Sequence, residues 1–126
     1  MKLQCAEDLI VFQKAYSSAM RIFEISKRFP AEERYAMTGQ IRRSSRSVCL
    51  NLKEAWAKRR YEAHFVSKLT DCDGENEETK TSLNFSKDCG YITEVEHKHL
   101  SAASSEVGKM LGSMIRDPGK FSIQVT

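Results

Sequence analysis

The segment from Gln40 to Arg60 constrains the fold more than any other stretch of the chain. It contains no proline and no glycine, and its apolar residues recur at the spacing of an α-helix. Those apolar residues are Ile41, Val48, Leu52 and Ala55. Seven residues of the segment are basic and one, Glu54, is acidic. The pattern therefore predicts a helix with one apolar face and one cationic face.

Four of the basic residues fall within about 40° of one another on a helical wheel. This cationic stripe comprises Arg42, Arg46, Lys53 and Arg60. Such a row can follow a phosphate backbone, because Lys and Arg neutralise phosphates and release counterions. We therefore take the stripe, together with Arg59, as candidate nucleic-acid contacts. Two alternatives remain open: the stripe pairs with the acidic run at residues 71–78 of the next helix, or it faces solvent.

A second polar row lies beside the stripe. This polar seam comprises Arg43, Ser47, Asn51 and Glu54. It is either a recognition surface or a buried network that fixes the register of neighbouring helices or subunits, and we favour the network. Glu78 and Thr81 on the following helix are its expected partners, together with Asn76 and Thr79. Trp56, on the stripe side, is expected to contact another subunit.

Three further segments show helical apolar spacing. In the first, the residues expected to face the core are Leu9, Phe12, Tyr16, Ala19 and Phe23. Pro30 ends that helix, because the residue before a proline is driven out of the helical region. Gly90 is expected to end the third helix. Thr93 and Glu96 fit a capping box at the start of the fourth.

The expected helices therefore cover residues 7–28, 32–60, 61–89 and 94–116, with a flexible tail at 117–126. Four long helices joined by short connections predict an all-α fold: an antiparallel, up-down-up-down four-helix bundle. At 126 residues the chain is expected to form a single domain, 1–126.

Sequence signals for catalysis, metals and membranes are missing. No nucleophile elbow, phosphate loop or dinucleotide fingerprint occurs, so we expect no enzyme, no catalytic residue and no cofactor. His97 and His99 are two residues apart and would point away from each other on a helix. The four cysteines form no zinc pattern and are expected to be free thiols in a reduced, cytoplasmic protein. No secretory signal or membrane-spanning run is present, so we expect no membrane association.

Several short stretches together resemble a known family. They are Leu9 to Ala15 (LIVFQKA), Gln40 to Ser44 (QIRRS), Gly90 to Ile92 (GYI) and Gly108 to Leu111 (GKML). In this order, over roughly residues 8–116, the chain is similar to the proteins encoded in intervening sequences of 23S rRNA genes. Many relatives carry proline and glycine where this chain has Cys49 and Ala55, so a more regular second helix is expected here.

The resemblance implies an antiparallel four-helix bundle that assembles into a homo-oligomer, commonly a pentameric ring. A related group serves diversity-generating retroelements as accessory proteins, in which a basic oligomer contacts a reverse transcriptase and nucleic acid. The family offers no catalytic residues to carry over. The expected function is non-enzymatic: a basic surface that binds RNA, DNA or a nucleic-acid-processing protein. The alternative is a protein-only scaffold whose basic helix pairs with acidic residues within the oligomer.

Overall fold

Four long α-helices make up most of the protein, and the computed structural model describes residues 3–121. The helices are α1 (Ile10–Ser26), α2 (Met37–Ala57), α3 (Glu62–Asp88) and α4 (Glu94–Arg116). Short 3-10 helices at Ala6–Asp8, Ala31–Glu33 and Pro118–Lys120 precede α1, lead into α2 and follow α4. Residues 3–121 contain no strand, so the all-α prediction is confirmed for the described chain.

The helix ends follow local backbone chemistry. The second helix was expected from residue 32, but residues 31–33 form a 3-10 helix and Ala36 has non-helical angles, so α2 begins at Met37. It then runs unbroken through Cys49 and Ala55. At α4, the Thr93 hydroxyl accepts from the Glu96 N–H at 3.1 Å, while the Glu96 carboxylate accepts from the Thr93 N–H at 2.9 Å. This capping box satisfies backbone donors that the first turn leaves free.

The helices surround two apolar clusters. α2 packs between α1 and α3, and α4 closes against both α3 and α1. The larger cluster is built around Leu52, Phe65 and Leu111. The smaller one consists of Ile22, Ile41, Leu83, Ile92 and Leu100.

A layer of small buried polar residues separates the two clusters. This polar layer takes residues from every helix: Ser18, Ser44, Asn76, Thr79 and Ser104. The Asn76 side-chain amide donates to the Ser104 carbonyl at 2.9 Å, and the Thr79 hydroxyl lies 2.9 Å from the Ser44 hydroxyl. These contacts satisfy groups whose burial without partners would cost about 1–3 kcal/mol each.

The predicted core face of α1 is wrong for Tyr16, whereas Phe12 packs against the larger apolar cluster as predicted. Tyr16 is 56% exposed, and Phe12 and Phe23 are only half-buried. The inward face instead carries small or aliphatic side chains, among them Val11 and Ala15. Small residues let α1 lie close to its neighbours, and the rings are displaced towards the edge that faces α2.

The segment after α4 also differs from the expectation of a flexible tail at 117–126. Residues 118–120 form a 3-10 helix, and the Phe121 ring packs 6.3 Å from the Phe65 ring, centroid to centroid. The rest of that predicted tail, residues 122–126, lies outside the described residues. Within residues 3–121, no helix combines the length and the apolar character needed to span a membrane.

Candidate nucleic-acid interface

The acidic run on α3 neutralises only one of the seven cations of segment 40–60. Arg43 donates to Glu78 at 2.7 Å and to Glu75 at 3.3 Å. Lys53, on the stripe, instead contacts Glu7 at 2.6 Å. The other five cations have no carboxylate within ion-pair distance among residues 3–121; they are Arg42, Arg46, Lys58, Arg59 and Arg60. Pairing of the stripe with the acidic run is therefore wrong within one chain.

Arg42 is held at the junction of α1 and α2. Its Nε donates to the Ser26 hydroxyl at 2.7 Å, and its guanidinium lies 4.8 Å from the centre of the Phe23 ring. Arg46, one turn further along α2, lies 5.6 Å from the same ring and is exposed. Arg42 therefore connects two helices while keeping its charge, and Arg46 presents its charge to solvent.

Three consecutive cations lie where α2 gives way to α3. This basic turn comprises Lys58, Arg59, Arg60 and Tyr61. Lys58 and Arg60 are exposed and form no ion pair or side-chain hydrogen bond with a described residue, although the charge of Lys58, after that of Lys68, helps to lower the pKa of Glu54. Tyr61 is 61% exposed. The Tyr61 ring meets His64 edge-on at 5.9 Å between centroids. The turn therefore combines unpaired positive charge with accessible ring surface.

Arg59 is the most constrained member of the basic turn. Its guanidinium stacks 3.4 Å from the centre of the Trp56 ring, and it donates to the backbone carbonyls of Trp56 and Phe121 at 2.9 and 3.3 Å. Burial lowers the pKa of this guanidinium below its ordinary value. Trp56, expected at a subunit contact, is half-buried against the larger apolar cluster and supports Arg59 from beneath.

The polar seam lies on the surface of the single chain, where α2 meets α3, so it is not buried between these two helices. The Arg43 and Glu54 side chains are 48% and 57% exposed. Glu54 pairs with Lys68 at 2.7 Å, and Lys68 also lies 3.4 Å from the Asn51 carbonyl oxygen. Helical spacing correctly groups residues on one face but does not give their depth. Ser44, the residue after Arg43, lies in the buried polar layer.

Charge pairing along the seam shifts the pKa values of its members. Side-chain hydrogen bonds to Glu75 and, to a smaller extent, to Glu78 raise the pKa of Arg43. The hydrogen bond from Arg43 lowers the pKa of Glu78. Lys68 lowers the pKa of Glu54, while Glu54 raises that of Lys68. These exposed pairs contribute little to stability, since such pairs are worth about 0–1 kcal/mol. They join side chains of α2 to side chains of α3.

Two expected members of the seam take little part in it. Ser47 is half-buried, and its backbone carbonyl accepts from the Asn51 amide at 2.9 Å. Thr81 is exposed and forms no side-chain hydrogen bond with the described chain. Lys68, which the sequence reasoning missed, is the central cation of the seam. The signal for it was a basic residue facing Glu54 in an antiparallel pairing of the second and third helices.

No group of three or more His, Cys, Asp or Glu side chains within residues 3–121 is arranged to hold a metal ion. All four cysteines are free, and Cys49 and Cys72 are buried. Burial raises their pKa values to about 11 and about 12, respectively. Both thiols therefore stay protonated near neutral pH, where a nucleophilic thiolate would be needed for catalysis.

Comparison with known proteins identifies the family. A crystal structure of a protein of unknown function from the S23 ribosomal protein family of Bacteroides thetaiotaomicron VPI-5482 is similar to this chain, with 30% sequence identity and a TM-score of 0.77. The match covers 85% of this chain and 96% of that one. No functionally curated protein matches the chain. The model of the 23S rRNA-intervening sequence protein family matches residues 7–113, and the chain belongs to that family.

Proposed function

We propose that the protein is a non-enzymatic, oligomeric four-helix bundle that presents a basic surface to nucleic acid in the cytoplasm. One observation carries the proposal: five of the seven cations of segment 40–60 have no carboxylate partner among residues 3–121. A basic segment whose charges served only to hold its own chain together would have them paired. Here Lys58 and Arg60 remain available to the phosphates of RNA or DNA, while Arg42 and Arg59 add positive charge at positions fixed by their contacts within the chain.

The basic turn is the centre of the proposed surface. Lys58 and Arg60 are free to neutralise phosphates, and the exposed Tyr61 ring offers a platform on which a base can stack. Arg59, fixed over Trp56, adds a positive charge whose position does not depend on the ligand. Arg42 contributes charge from a position fixed by α1.

The bundle is proposed to have up-down-up-down antiparallel topology. Two ion pairs between α2 and α3 support this topology, because the residue number on α3 decreases as the residue number on α2 increases, as it does for antiparallel helices. Arg43 meets Glu78, whereas Glu54 meets Lys68. The proposed assembly is a ring-like homo-oligomer, with five copies as its expected size. A ring would repeat the basic turn and increase avidity for a long polyanion without any new contact.

Salt-dependent binding tests the proposal. Fluorescence anisotropy with labelled single-stranded RNA and duplex DNA, each from about 50 to 200 mM salt, should show affinity that falls steeply with ionic strength. Replacing Lys58 and Arg60 together with alanine should reduce the salt slope for single strands by about 1.4. Replacing Lys98 and Lys109 on α4 is the matched control, because it removes the same charge from exposed residues elsewhere.

Failure to detect either probe at about 50 mM salt, where phosphate contacts are strongest, would refute nucleic-acid binding. A protein-only scaffold is the second candidate. It is supported by exposed apolar side chains at the α1–α2 edge, among them Leu50 at 65% and Tyr16 at 56% exposure. An oligomer that persists in solution without nucleic-acid affinity would establish this second function.

A further inference from the structure

An apolar groove runs between α1 and α2 on the outside of the protein. It encloses about 520 Å³, and Tyr16, Met20 and Leu50 in its walls are 56, 46 and 65% exposed. Arg46 and Lys53 stand at its rim. Large apolar side chains gathered in one groove with a polar rim mark a contact surface.

A second groove, between α2 and α3, has the opposite charge. It encloses about 450 Å³, and Phe85 in its wall is 58% exposed. Glu77 and Glu78 line it together with Thr81. We call this the acidic groove. Glu77 has only Lys80 of its own helix as an ion-pair partner in the described chain, at 3.7 Å.

We propose that the apolar groove of one copy receives the acidic groove face of a second copy of this chain. Phe85 of the acidic groove lies against Leu50 and Met20, and Glu77 faces Arg46. The proposal rests on the homo-oligomer proposed above and specifies which surfaces join its subunits.

Charge favours this pairing over a symmetric one. Lys53 is already paired with Glu7, which also lines the apolar groove, so Arg46 is the unpaired cation there, whereas Glu77 and Glu78 line the acidic groove. Two apolar grooves placed face to face would bring the Arg46 side chains of both copies together, and like charges across an interface oppose association. Two acidic grooves would repel each other in the same way. Joining unlike grooves places an apolar centre against an apolar centre and a cationic rim against an acidic one.

The position of the two grooves determines the kind of assembly. An interface between two different surfaces of one chain is heterologous, and repeating it gives either a closed ring or an open filament. Both grooves flank α2, which packs between α1 and α3.

Molar mass measured by light scattering after size exclusion tests the pairing. Variant one, Arg46→Glu with Lys53→Glu, reverses the rim of the apolar groove; variant two, Glu77→Lys with Thr81→Lys, reverses the acidic groove. Each variant alone should fall towards the 14.4 kDa monomer. An equimolar mixture of the two should recover a larger mass, because each reversed face then meets a complementary one. All four substitutions in one chain should restore self-association.

Lys98→Glu with Lys109→Glu on α4 is the control and should keep the wild-type mass. Wild-type protein that stays monomeric would overturn both this proposal and the homo-oligomer. A wild-type oligomer that survives either charge reversal would overturn the groove pairing alone. Recovery on mixing distinguishes a lost interface from a misfolded variant, so failure to recover also counts against the pairing. The Lys58 and Arg60 variant, whose substitutions lie outside both grooves, should keep its mass whatever its affinity for RNA.

Discussion

Replacing Arg42 with alanine should destabilise the protein by about 2 kcal/mol, although Arg42 lies on a surface expected from the sequence to contact nucleic acid. The side chain joins α2 to α1 through the Ser26 hydroxyl at 2.7 Å and the Phe23 ring at 4.8 Å. Alanine removes both contacts. The effect should therefore appear in folding, with a smaller change in nucleic-acid affinity.

The magnitude follows from these two contacts. A hydrogen bond from a charged donor contributes about 1.5–3 kcal/mol, and the lower end applies because Arg42 is partly exposed. A cation held over a phenyl ring at such a site adds about 0.5–1 kcal/mol. Ser26 itself is 2% exposed, but its hydroxyl also lies 3.0 Å from the Phe23 carbonyl, so removing Arg42 leaves that donor satisfied.

Urea unfolding at one fixed protein concentration measures the change, because the stability of an oligomer depends on concentration. Arg60→Ala is the matched control and should cost less than about 0.5 kcal/mol, since Arg60 contacts no described side chain. A double-mutant cycle with Ser26→Ala isolates the hydrogen bond and should give a coupling of about 1 kcal/mol or more. Equal losses for Arg42→Ala and Arg60→Ala, or a coupling near zero, would show that the reasoning is wrong.

Three further predictions concern stability and reactivity. Gly90→Ala should lower the free energy of unfolding in urea by about 1–2 kcal/mol, because Gly90 has a φ of 79°, which alanine adopts only with strain. Gly112→Ala inside α4 is the control and should not lower it, since an added Cβ would meet only the end of the flexible Arg116 side chain. In a Cys5→Ser background, which removes the partly exposed Cys5, exposed Cys89 should react with a thiol reagent at pH 8 well before buried Cys49 and Cys72. A fast phase that survives the further change Cys89→Ser would contradict this. The hydrogen bond from Arg28 and, to a smaller extent, that from the Thr93 backbone lower the pKa of Glu96. The stabilisation that ionised Glu96 gives the folded protein should therefore be complete above the unfolded pKa of about 4.3, and it should be lost as pH falls through the lower folded pKa. Glu96→Gln should flatten this acid limb of stability in a pH series, and an unchanged limb would exclude Glu96 as its source.

Helical periodicity was sufficient to predict the four helices, and glycine and capping chemistry predicted the end of α3 and the start of α4, whereas α2 begins at Met37 and not at residue 32. The predicted capping box at Thr93 is present, and Asn76 and Thr79, expected at core-facing positions, are buried. These features depend on short-range interactions. A residue's neighbours along the chain determine whether it can cap or end a helix, so the sequence contains the necessary information.

The burial of individual side chains and the partners of the ion pairs were harder to predict. Hydrophobicity alone suggested that Tyr16 is buried, but α1 packs through smaller residues and leaves this ring at its edge. Pairing of the acidic run with the cationic stripe was one of the alternatives left open, but the run engages Arg43 on the α3 side of α2. Lys53, on the α1 side, pairs with Glu7 instead. Rotation of a helix about its axis decides such pairings, and a rotation of a few tens of degrees changes the partner.

The polar layer has a consequence for how the protein opens. Because it divides the apolar core, each half of the protein depends on its own cluster, and the half built on Ile22, Ile41 and Leu83 is the smaller. Regions with fewer buried apolar contacts open at lower free energy, and amide hydrogen exchange measures such openings. Amides around Ile41 and Leu83 should therefore exchange through partial opening, while those around Leu52 and Leu69 exchange only on global unfolding. The basic turn lies at the slowly exchanging end, so the proposed nucleic-acid surface would stay folded while the opposite end fluctuates.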